Sequence, residues 1–221
     1  MKSNANGDWD PTEHYKDTAV AESYDSARFS SLAGRVFNDR EQRIIRACFE
    51  DVAPGTVLLD LPCGTGRLAE VLLRANLNVH GADISPQMLA VARQRLSQFQ
   101  DRFTTEVMDV FSLSDPAPQY DATLCARVLM HFPFPRQVEF MRGVASLTKR
   151  RVVINHSFSS PYQRFRRFIK RLLGHQDPAR HPITNKQITE LLDCCGLVEV
   201  RRMRIQPLIS EAIYIVAERK R

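Results

Sequence analysis

The chain has 221 residues, is 43% hydrophobic and carries a formal net charge of +6 at neutral pH. This length can bury one full hydrophobic core, and since no proline-rich or glycine-rich linker interrupts it, we expect a single domain over residues 1–221. The apolar runs are too short for a transmembrane helix, and the first residues lack the apolar region of a secretion signal. Five cysteines without a C-x-x-C spacing favour a reduced, cytoplasmic protein without a metal centre.

The N-terminal part of the chain is predicted to be helical. Residues 1–12 are polar, and we expect them to form a mobile tail. Residues 13–50 carry helical patterning, which is clearest from Arg35 to Asp51, where the apolar residues fall on one face.

After Pro54 and Gly55, the predicted elements alternate between strand and helix. The predicted strands are 56–61, 78–83, 103–108, 119–125 and 150–156, and the predicted helices are 66–75, 86–98 and 135–148. Strands joined by helical crossovers form a parallel sheet, with the ligand loops at its carboxyl edge. Two further strands near the C-terminus are joined by a short turn, so we expect them to be antiparallel.

Residues 57–70, V-L-L-D-L-P-C-G-T-G-R-L-A-E, predict a strand, a glycine turn and a helix, which is the arrangement of a nucleotide site. Gly64 and Gly66 would let backbone amides approach a ligand, and the helix beginning near Arg67 would contribute its positive end. The spacing also satisfies the dinucleotide fingerprint, in which a pyrophosphate sits on the turn. Asp60 favours another ligand, because a carboxylate there repels a pyrophosphate and attracts a cation.

The strings D-L-P-C-G-T-G, G-A-D-I-S-P-Q-M-L and M-D-V resemble the cofactor motifs of class I S-adenosylmethionine-dependent methyltransferases. The resemblance is closest to the bacterial small-molecule branch that includes ubiquinone and menaquinone biosynthesis methyltransferases. It implies an α/β fold, a doubly wound and mostly parallel seven-stranded sheet with an antiparallel last strand. It also implies N-terminal lid helices at 13–50 and a substrate cap at 157–185. Pro62 stands where the family usually has glycine, so we expect slightly altered loop geometry with binding retained.

The resemblance implies S-adenosylmethionine as the cofactor. Asp83 would accept hydrogen bonds from the ribose hydroxyls, and Asp109 would lie near the adenine; helix capping and a loop turn are their alternative roles. Tyr24 would cover the methionine moiety, where its ring attracts the sulfonium, and a structural tyrosine is the alternative. The predicted cofactor residues are Asp60, Pro62, Cys63, Gly64, Gly66, Arg67, Asp83, Ile84, Met88, Asp109, Val110, Cys125, Arg127, Tyr24 and Arg28.

The loop after the fourth predicted strand indicates the acceptor chemistry. It reads A-R-V-L where methyltransferases of exocyclic amines carry an N-P-P-Y-like tetrapeptide, which disfavours that class. His131 is the first candidate for a general base, because imidazole can accept a hydroxyl proton near neutral pH, and a structural histidine is the alternative. The predicted catalytic residues are His131, His156 and Tyr24, and the predicted substrate residues are His131, His156, His181, Tyr162 and Phe165.

The segment 162–173 predicts a basic amphipathic helix. It holds five Lys and Arg residues and no acid, and residues 151–221 hold fourteen Lys and Arg against six acids. Such a helix would lie on an anionic membrane, at its inner face, or close over an acidic amphiphilic substrate. A solvated lid helix with its apolar face on the domain is the alternative.

The sequence as a whole predicts transfer of a methyl group to an oxygen, in preference to a nitrogen or carbon, of a small molecule. A lipophilic or anionic acceptor such as a quinone precursor fits the cap, and the expected assembly is a monomer or homodimer. An RNA methyltransferase is the first alternative, although few aromatic residues outside the cap could stack on bases, which disfavours a nucleic-acid partner. A non-catalytic nucleotide-binding or membrane-docking protein is the second.

Overall fold

The computed structural model describes residues 31–114, 116–159, 161–172, 174, 181–206 and 210–220. The predicted tail and the first part of the predicted lid, with Tyr24 and Arg28, lie outside these ranges. The backbone divides into two compact units, Met1–Asp109 and Val110–Arg221. The prediction of a single domain stays a prediction.

The first unit alternates helix and strand as the sequence predicts. Its elements are α1 (Leu32–Cys48), β1 (Val57–Asp60), α2 (Arg67–Arg74), β2 (Asn78–Asp83), α3 (Pro86–Arg95) and β3 (Phe103–Val107). β2 pairs in parallel with both β1 and β3. The N-cap of helix α3 is Ser85, whose hydroxyl accepts a hydrogen bond from the Met88 amide at 3.2 Å. A side-chain oxygen at this position satisfies one of the amides that a helix start leaves without a partner.

The second unit carries the antiparallel end of the fold. Its strands are β4 (Tyr120–Cys125), β5 (Thr148–Ser157), β6 (Leu197–Arg204) and β7 (Ala212–Arg219), and its helices are α4 (Phe134–Ser146), α5 (Pro161–Leu172) and α6 (Asn185–Asp193), with 3₁₀ turns at Val110–Ser112 and Leu129–His131. β4 and β5 are parallel, whereas β7 runs antiparallel to both β5 and β6. The prediction of an antiparallel last strand is therefore confirmed.

The strands have the order β3-β2-β1-β4-β5-β7-β6 in a seven-stranded sheet. This order confirms the predicted α/β class with a doubly wound, mostly parallel sheet. β1 and β5 contain continuous apolar runs, Leu58–Leu59 and Val152–Ile154, whose residues are all fully buried. Such runs are typical of parallel strands that are covered on both faces. Within the described ranges, no helix combines the length and apolar composition needed to cross a membrane.

Candidate active site

The carboxyl ends of β1 and β2 carry two buried aspartates. Asp60 is the last residue of β1 and Asp83 the last residue of β2. Their exposed fractions are 1% and 5%. Because the two strands are parallel neighbours, both carboxylates emerge at the same edge of the sheet, as the sequence predicts.

The surroundings of Asp60 disfavour the ionised form of its carboxyl. Burial raises the pKa of its carboxyl well above the usual value, and the negative charge of Asp83 raises it further, while Arg67 and the Ala69 amide act in the opposite direction. One oxygen, Oδ2, has no hydrogen-bond partner within the described part of the chain. A buried carboxylate oxygen without a partner is costly, so this position favours a cation or a hydrogen-bond donor from a ligand.

Asp83 fixes the glycine turn to the end of β2. Its Oδ2 accepts a hydrogen bond from the Gly64 amide and its Oδ1 accepts one from the Ser85 amide, each at 2.9 Å. Burial raises the pKa of the carboxyl, and backbone hydrogen bonds from Ser85, Gly64 and Ile84 partly offset this effect. Since a carboxylate offers about four acceptor sites, the group keeps capacity for a further donor. The capping of α3 that we considered for Asp83 is performed by Ser85.

The two glycines of the turn have different roles. A Cβ added to Gly64, which has a φ of +53°, would meet nothing within 4 Å, so there is open space at this point. A Cβ added to Gly66, with a φ of +74°, would lie 2.8 Å from Leu96 Cδ1 and 3.2 Å from Ala92 Cβ, so this glycine permits close packing. The Gly66 amide donates to the Cys63 carbonyl at 3.0 Å. The amides of both glycines are thus bonded within the fold, and the close approach of this turn to a ligand stays a prediction.

Arg67 faces α1. Its guanidinium donates to Asn38 Oδ1 at 2.6 Å and to Glu41 Oε2 at 2.7 Å. The exposed fractions of the Arg67 and Glu41 side chains are 8% and 0%. These bonds tie α1 to the start of α2, and the cofactor contact that we expected for this arginine stays a prediction.

The remaining cofactor candidates of the first unit lie around the same strand ends. Cys63 is buried, and burial raises the pKa of its thiol well above the usual value, with Asp60 and Asp83 adding to the effect. This cysteine therefore remains a thiol and fills space beside Gly81. The other positions are a cis peptide bond at Leu61–Pro62, a half-buried Ile84, a buried Met88 and a half-buried Asp109 just after β3.

In the second unit, Gln137 joins three segments that each carry a predicted histidine. Its amide nitrogen donates to the Phe132 carbonyl at 2.8 Å and to the His181 carbonyl at 3.3 Å. Its Oε1 lies 3.1 Å from Nε2 of His156. Gln137 is 1% exposed, and the sequence analysis missed it. The signal that was available is an uncharged polar residue on the apolar face of α4.

His156 is held neutral at the end of β5. Burial lowers the pKa of its imidazole to about 4, and the nearby His131 acts in the same direction, although a hydrogen bond with the Ser157 carbonyl opposes both. His131 ends the 3₁₀ turn after β4 and is only half-buried. The histidines predicted at 131 and 156 therefore lie close together. His181 joins them through its backbone, since its amide donates to the Met130 carbonyl at 3.1 Å.

The other candidates of the second unit are more dispersed. Cys125 is buried at the end of β4, Val110 is buried in its 3₁₀ turn, and Arg127 has a left-handed φ of +66°. Tyr162 and Phe165 are 57% and 64% exposed on α5. The alternative in which α5 packs its apolar face on the domain therefore does not describe these two side chains.

An aromatic cluster supports the loop that carries His131, and the sequence analysis missed it too. The ring centroid of Phe111 lies 5.6 Å from that of Phe132 and 5.5 Å from that of Phe140, and both pairs have edge-on geometry. The Arg136 guanidinium lies 3.5 Å above the Phe111 ring, a cation–π contact. These contacts hold Phe132, the residue after His131, against α4.

Comparison with known proteins agrees with this geometry. A family described as a methyltransferase domain matches residues 58–151. The magnesium-protoporphyrin O-methyltransferase of Synechocystis is 31% identical over 107 residues, covering 46% of this chain and 44% of that protein. The ubiquinone biosynthesis O-methyltransferase of Xanthomonas campestris is 33% identical over 97 residues, covering 43% of this chain and 40% of that protein. The chain thus spans less than half the length of these relatives.

The fold is also found in a solved structure. Magnesium protoporphyrin IX methyltransferase from Synechocystis with bound S-adenosylmethionine superposes with a TM-score of 0.71, covering 99% of this chain and 100% of that chain at 19% identity. At this identity, the likeness supports the fold and leaves the acceptor open.

Proposed function

We propose that this chain, a member of the class I S-adenosylmethionine-dependent methyltransferases, transfers the methyl group of that cofactor to an oxygen atom of a small molecule. The observation that carries the proposal is the Asp60 carboxylate, which is buried and has one oxygen without a partner in the described part of the chain. A phosphate-containing cofactor would meet two buried acids, Asp60 and Asp83, and would be repelled. S-Adenosylmethionine is cationic at two atoms and contains no phosphate.

The residues at the strand ends fit this cofactor. Asp60 would attract its positive charge, and the open space at Gly64 would admit it beside the turn. Asp83 would accept the ribose hydroxyls with its remaining lone pairs. Asp109 with Val110 would meet the adenine, and Ile84 with Met88 would pack on its ring.

Methyl transfer to the acceptor needs few catalytic side chains. When bound, the cofactor supplies a methyl group that its sulfonium already activates, so the protein mainly has to hold an oxygen nucleophile in line. His131 would accept the proton from that oxygen, since it is half-exposed and can exchange protons with water. His156 is neutral and held by Gln137, so it would maintain the position of the His131 imidazole without taking up a charge itself.

A lipophilic or anionic acceptor, such as a quinone precursor, is the class we propose. Its support is the exposed apolar side chains of α5 together with the basic sequence of 162–173, which would also allow contact with an anionic membrane. Two relatives are named after ubiquinone and magnesium-protoporphyrin, which are large hydrophobic molecules. These names agree with the proposal. We propose a monomer or homodimer as the acting form.

Transfer of a radiolabelled methyl group from S-adenosylmethionine to a panel of phenols, catechols and carboxylic acids tests the proposal. We expect an oxygen acceptor to be labelled, and we expect His131→Gln to lower kcat by about 100-fold at neutral pH, as loss of a general base does. His80→Gln is the matched control, because His80 lies on β2 bonded to Thr104 and Glu106 and should leave kcat unchanged. Labelling of tRNA or of amine acceptors in preference to every oxygen acceptor would contradict the proposal.

A further inference from the structure

Helix α5 carries most of the exposed large apolar side chains of the second unit. Five of the seven such residues described between 110 and 220 lie on it, and they are Tyr162 at 57% exposure, Phe165 at 64%, Phe168 at 58%, Ile169 at 39% and Leu172 at 67%. Burying an aromatic or aliphatic side chain stabilises a protein, so a concentration of exposed ones indicates a surface that binds a partner. We propose that α5 docks this protein on an anionic phospholipid bilayer.

The arrangement along the helix fits a bilayer surface. At 100° per residue, positions 162, 165, 168, 169 and 172 fall within an arc of about 120°. The five basic positions of α5, namely 164, 166, 167, 170 and 171, fall on the remaining side. A helix with one apolar arc and one cationic arc lies in the plane of the interface, with its apolar arc among the upper acyl chains and its cations among the headgroups.

The charge of the segment selects an anionic surface. The sequence contains no Asp or Glu between Glu139 and Asp177, so α5 is cationic along its whole length. Each Lys or Arg close to an anionic leaflet strengthens binding, and salt weakens this contribution. RNA would satisfy the cations but would not bury Phe168, Ile169 and Leu172 together. A bilayer satisfies both arcs, and for this reason we favour it.

The segment around α5 leaves and rejoins the fold beside the histidine group. The Ser159 amide donates to the Ile183 carbonyl and the Ile183 amide donates to the Ser157 carbonyl, each at 2.8 Å. The His181 amide is bonded to Met130, the residue before His131. Docking of α5 would thus bring His131 and His156 towards the lipid, where a lipophilic acceptor is dissolved. This last step rests on the proposed methyl transfer, whereas the docking does not.

Vesicle flotation with the full chain tests the docking. The vesicles contain phosphatidylcholine with 30% phosphatidylglycerol, and vesicles of pure phosphatidylcholine serve as the neutral control. We expect binding to the anionic vesicles that is at least about tenfold tighter than to neutral ones and that falls as salt rises. Phe165→Ser with Phe168→Ser, and separately Arg166→Glu with Arg167→Glu, should each weaken binding by about tenfold or more.

Matched double variants separate the docking surface from general changes of surface. Val198→Ser with Val200→Ser removes exposed apolar side chains from β6, and Arg150→Glu with Lys186→Glu makes the same charge change away from α5. Both should bind vesicles like the unmodified protein, and thermal unfolding checks that all variants fold. Equal binding to neutral vesicles, binding unaffected by both α5 variants, or tRNA binding that persists when the two phenylalanines are replaced would overturn the proposal. A dimer in solution that the Phe165 and Phe168 variant dissociates would overturn it in favour of a second copy of the chain.

Discussion

Gln137 Oε1 lies 3.1 Å from His156 Nε2, while the amide nitrogen of the same glutamine donates to the carbonyls of Phe132 and His181. Two carbonyl acceptors fix the orientation of the amide, so its oxygen faces Nε2 of His156 as a hydrogen-bond acceptor. The other ring nitrogen, Nδ1, lies 3.1 Å from the Ser157 carbonyl. Only the imidazolium could donate to both oxygens, and burial opposes its formation.

We expect His156 to make the fold sensitive to acid. Its folded pKa is about 4 against 6.5 for the free side chain, so the unfolded chain binds the proton first as the pH falls. The stability that the neutral histidine contributes is complete above pH 6.5 and is lost towards pH 4, by about 3 kcal/mol in total. Urea unfolding at a series of pH values measures this loss.

The control for this experiment is His181→Gln, because the His181 side chain is exposed. His156→Gln should have a shallower dependence of the free energy of unfolding on pH between 6.5 and 4, while the control keeps the slope of the unmodified protein. The same slope in all three proteins would show that His156 does not titrate in this way.

Replacing Gln137 should destabilise the second unit. Gln137→Leu removes the donor to two carbonyls and the partner of His156 Nε2 in a buried region, which costs about 3 kcal/mol of unfolding free energy. Gln94→Leu makes the same change at an exposed position of α3 and should alter stability by less than about 0.5 kcal/mol. If chemical unfolding gives equal values for the two variants, the hydrogen bonds of Gln137 contribute nothing to stability.

Breaking the buried ion pair between Arg67 and Glu41 should lower the unfolding free energy far more than breaking a surface pair. Glu41→Gln leaves the Arg67 guanidinium buried beside a neutral group, and we expect a loss of about 3 kcal/mol. Glu139→Gln breaks the exposed pair with Arg136 and should cost less than about 1 kcal/mol. Thermal unfolding of both variants measures the difference, and a loss at Glu41 no larger than at Glu139 would contradict the assignment.

Asp60 should weaken the ligand-free fold and strengthen cofactor binding. Its folded pKa is raised, so the stability it contributes is complete only below its unfolded pKa and is lost as the pH rises through the folded one. At neutral pH, Asp60→Asn should therefore raise the unfolding free energy by about 1 kcal/mol. It should also weaken S-adenosylmethionine binding by about tenfold or more, because a charged partner is lost.

Asp121→Asn serves as the control for Asp60, since the Asp121 side chain is 53% exposed. Scanning calorimetry with and without cofactor measures both effects. A ligand-free Asp60→Asn protein that is less stable than the unmodified one would contradict the account of this carboxylate.

The sequence was sufficient for the arrangement of strands because their apolar runs and turn residues are local signals. The predicted strand at 78–83 agrees with β2 residue for residue, whereas β5 extends from Thr148 to Ser157, beyond the predicted 150–156. The extension includes Thr148, whose hydroxyl is bonded to Thr123 on β4 at 2.6 Å. Such a cross-strand contact depends on the register in which two strands pair. The residues of one strand alone do not determine that register.

The candidate site was predicted less completely, because several roles depend on residues far apart in the chain. Asp60 and Asp83 are the last residues of their strands and were recognisable from position alone. The role of Arg67 depends on Asn38 and Glu41, which lie 29 and 26 residues earlier, and that of Gln137 depends on His181, 44 residues later. The packing role of Gly66 depends on Ala92 and Leu96, which lie 26 and 30 residues later and meet the turn only when the chain is folded.

Isothermal titration of the full chain with S-adenosylmethionine, its demethylated product and NAD tests the central claim most directly. The account predicts that both sulfur-containing ligands bind, that NAD does not, and that Asp83→Ala abolishes binding while the exposed Asp121→Asn retains it. No binding of S-adenosylmethionine, or tighter binding of NAD, would contradict it.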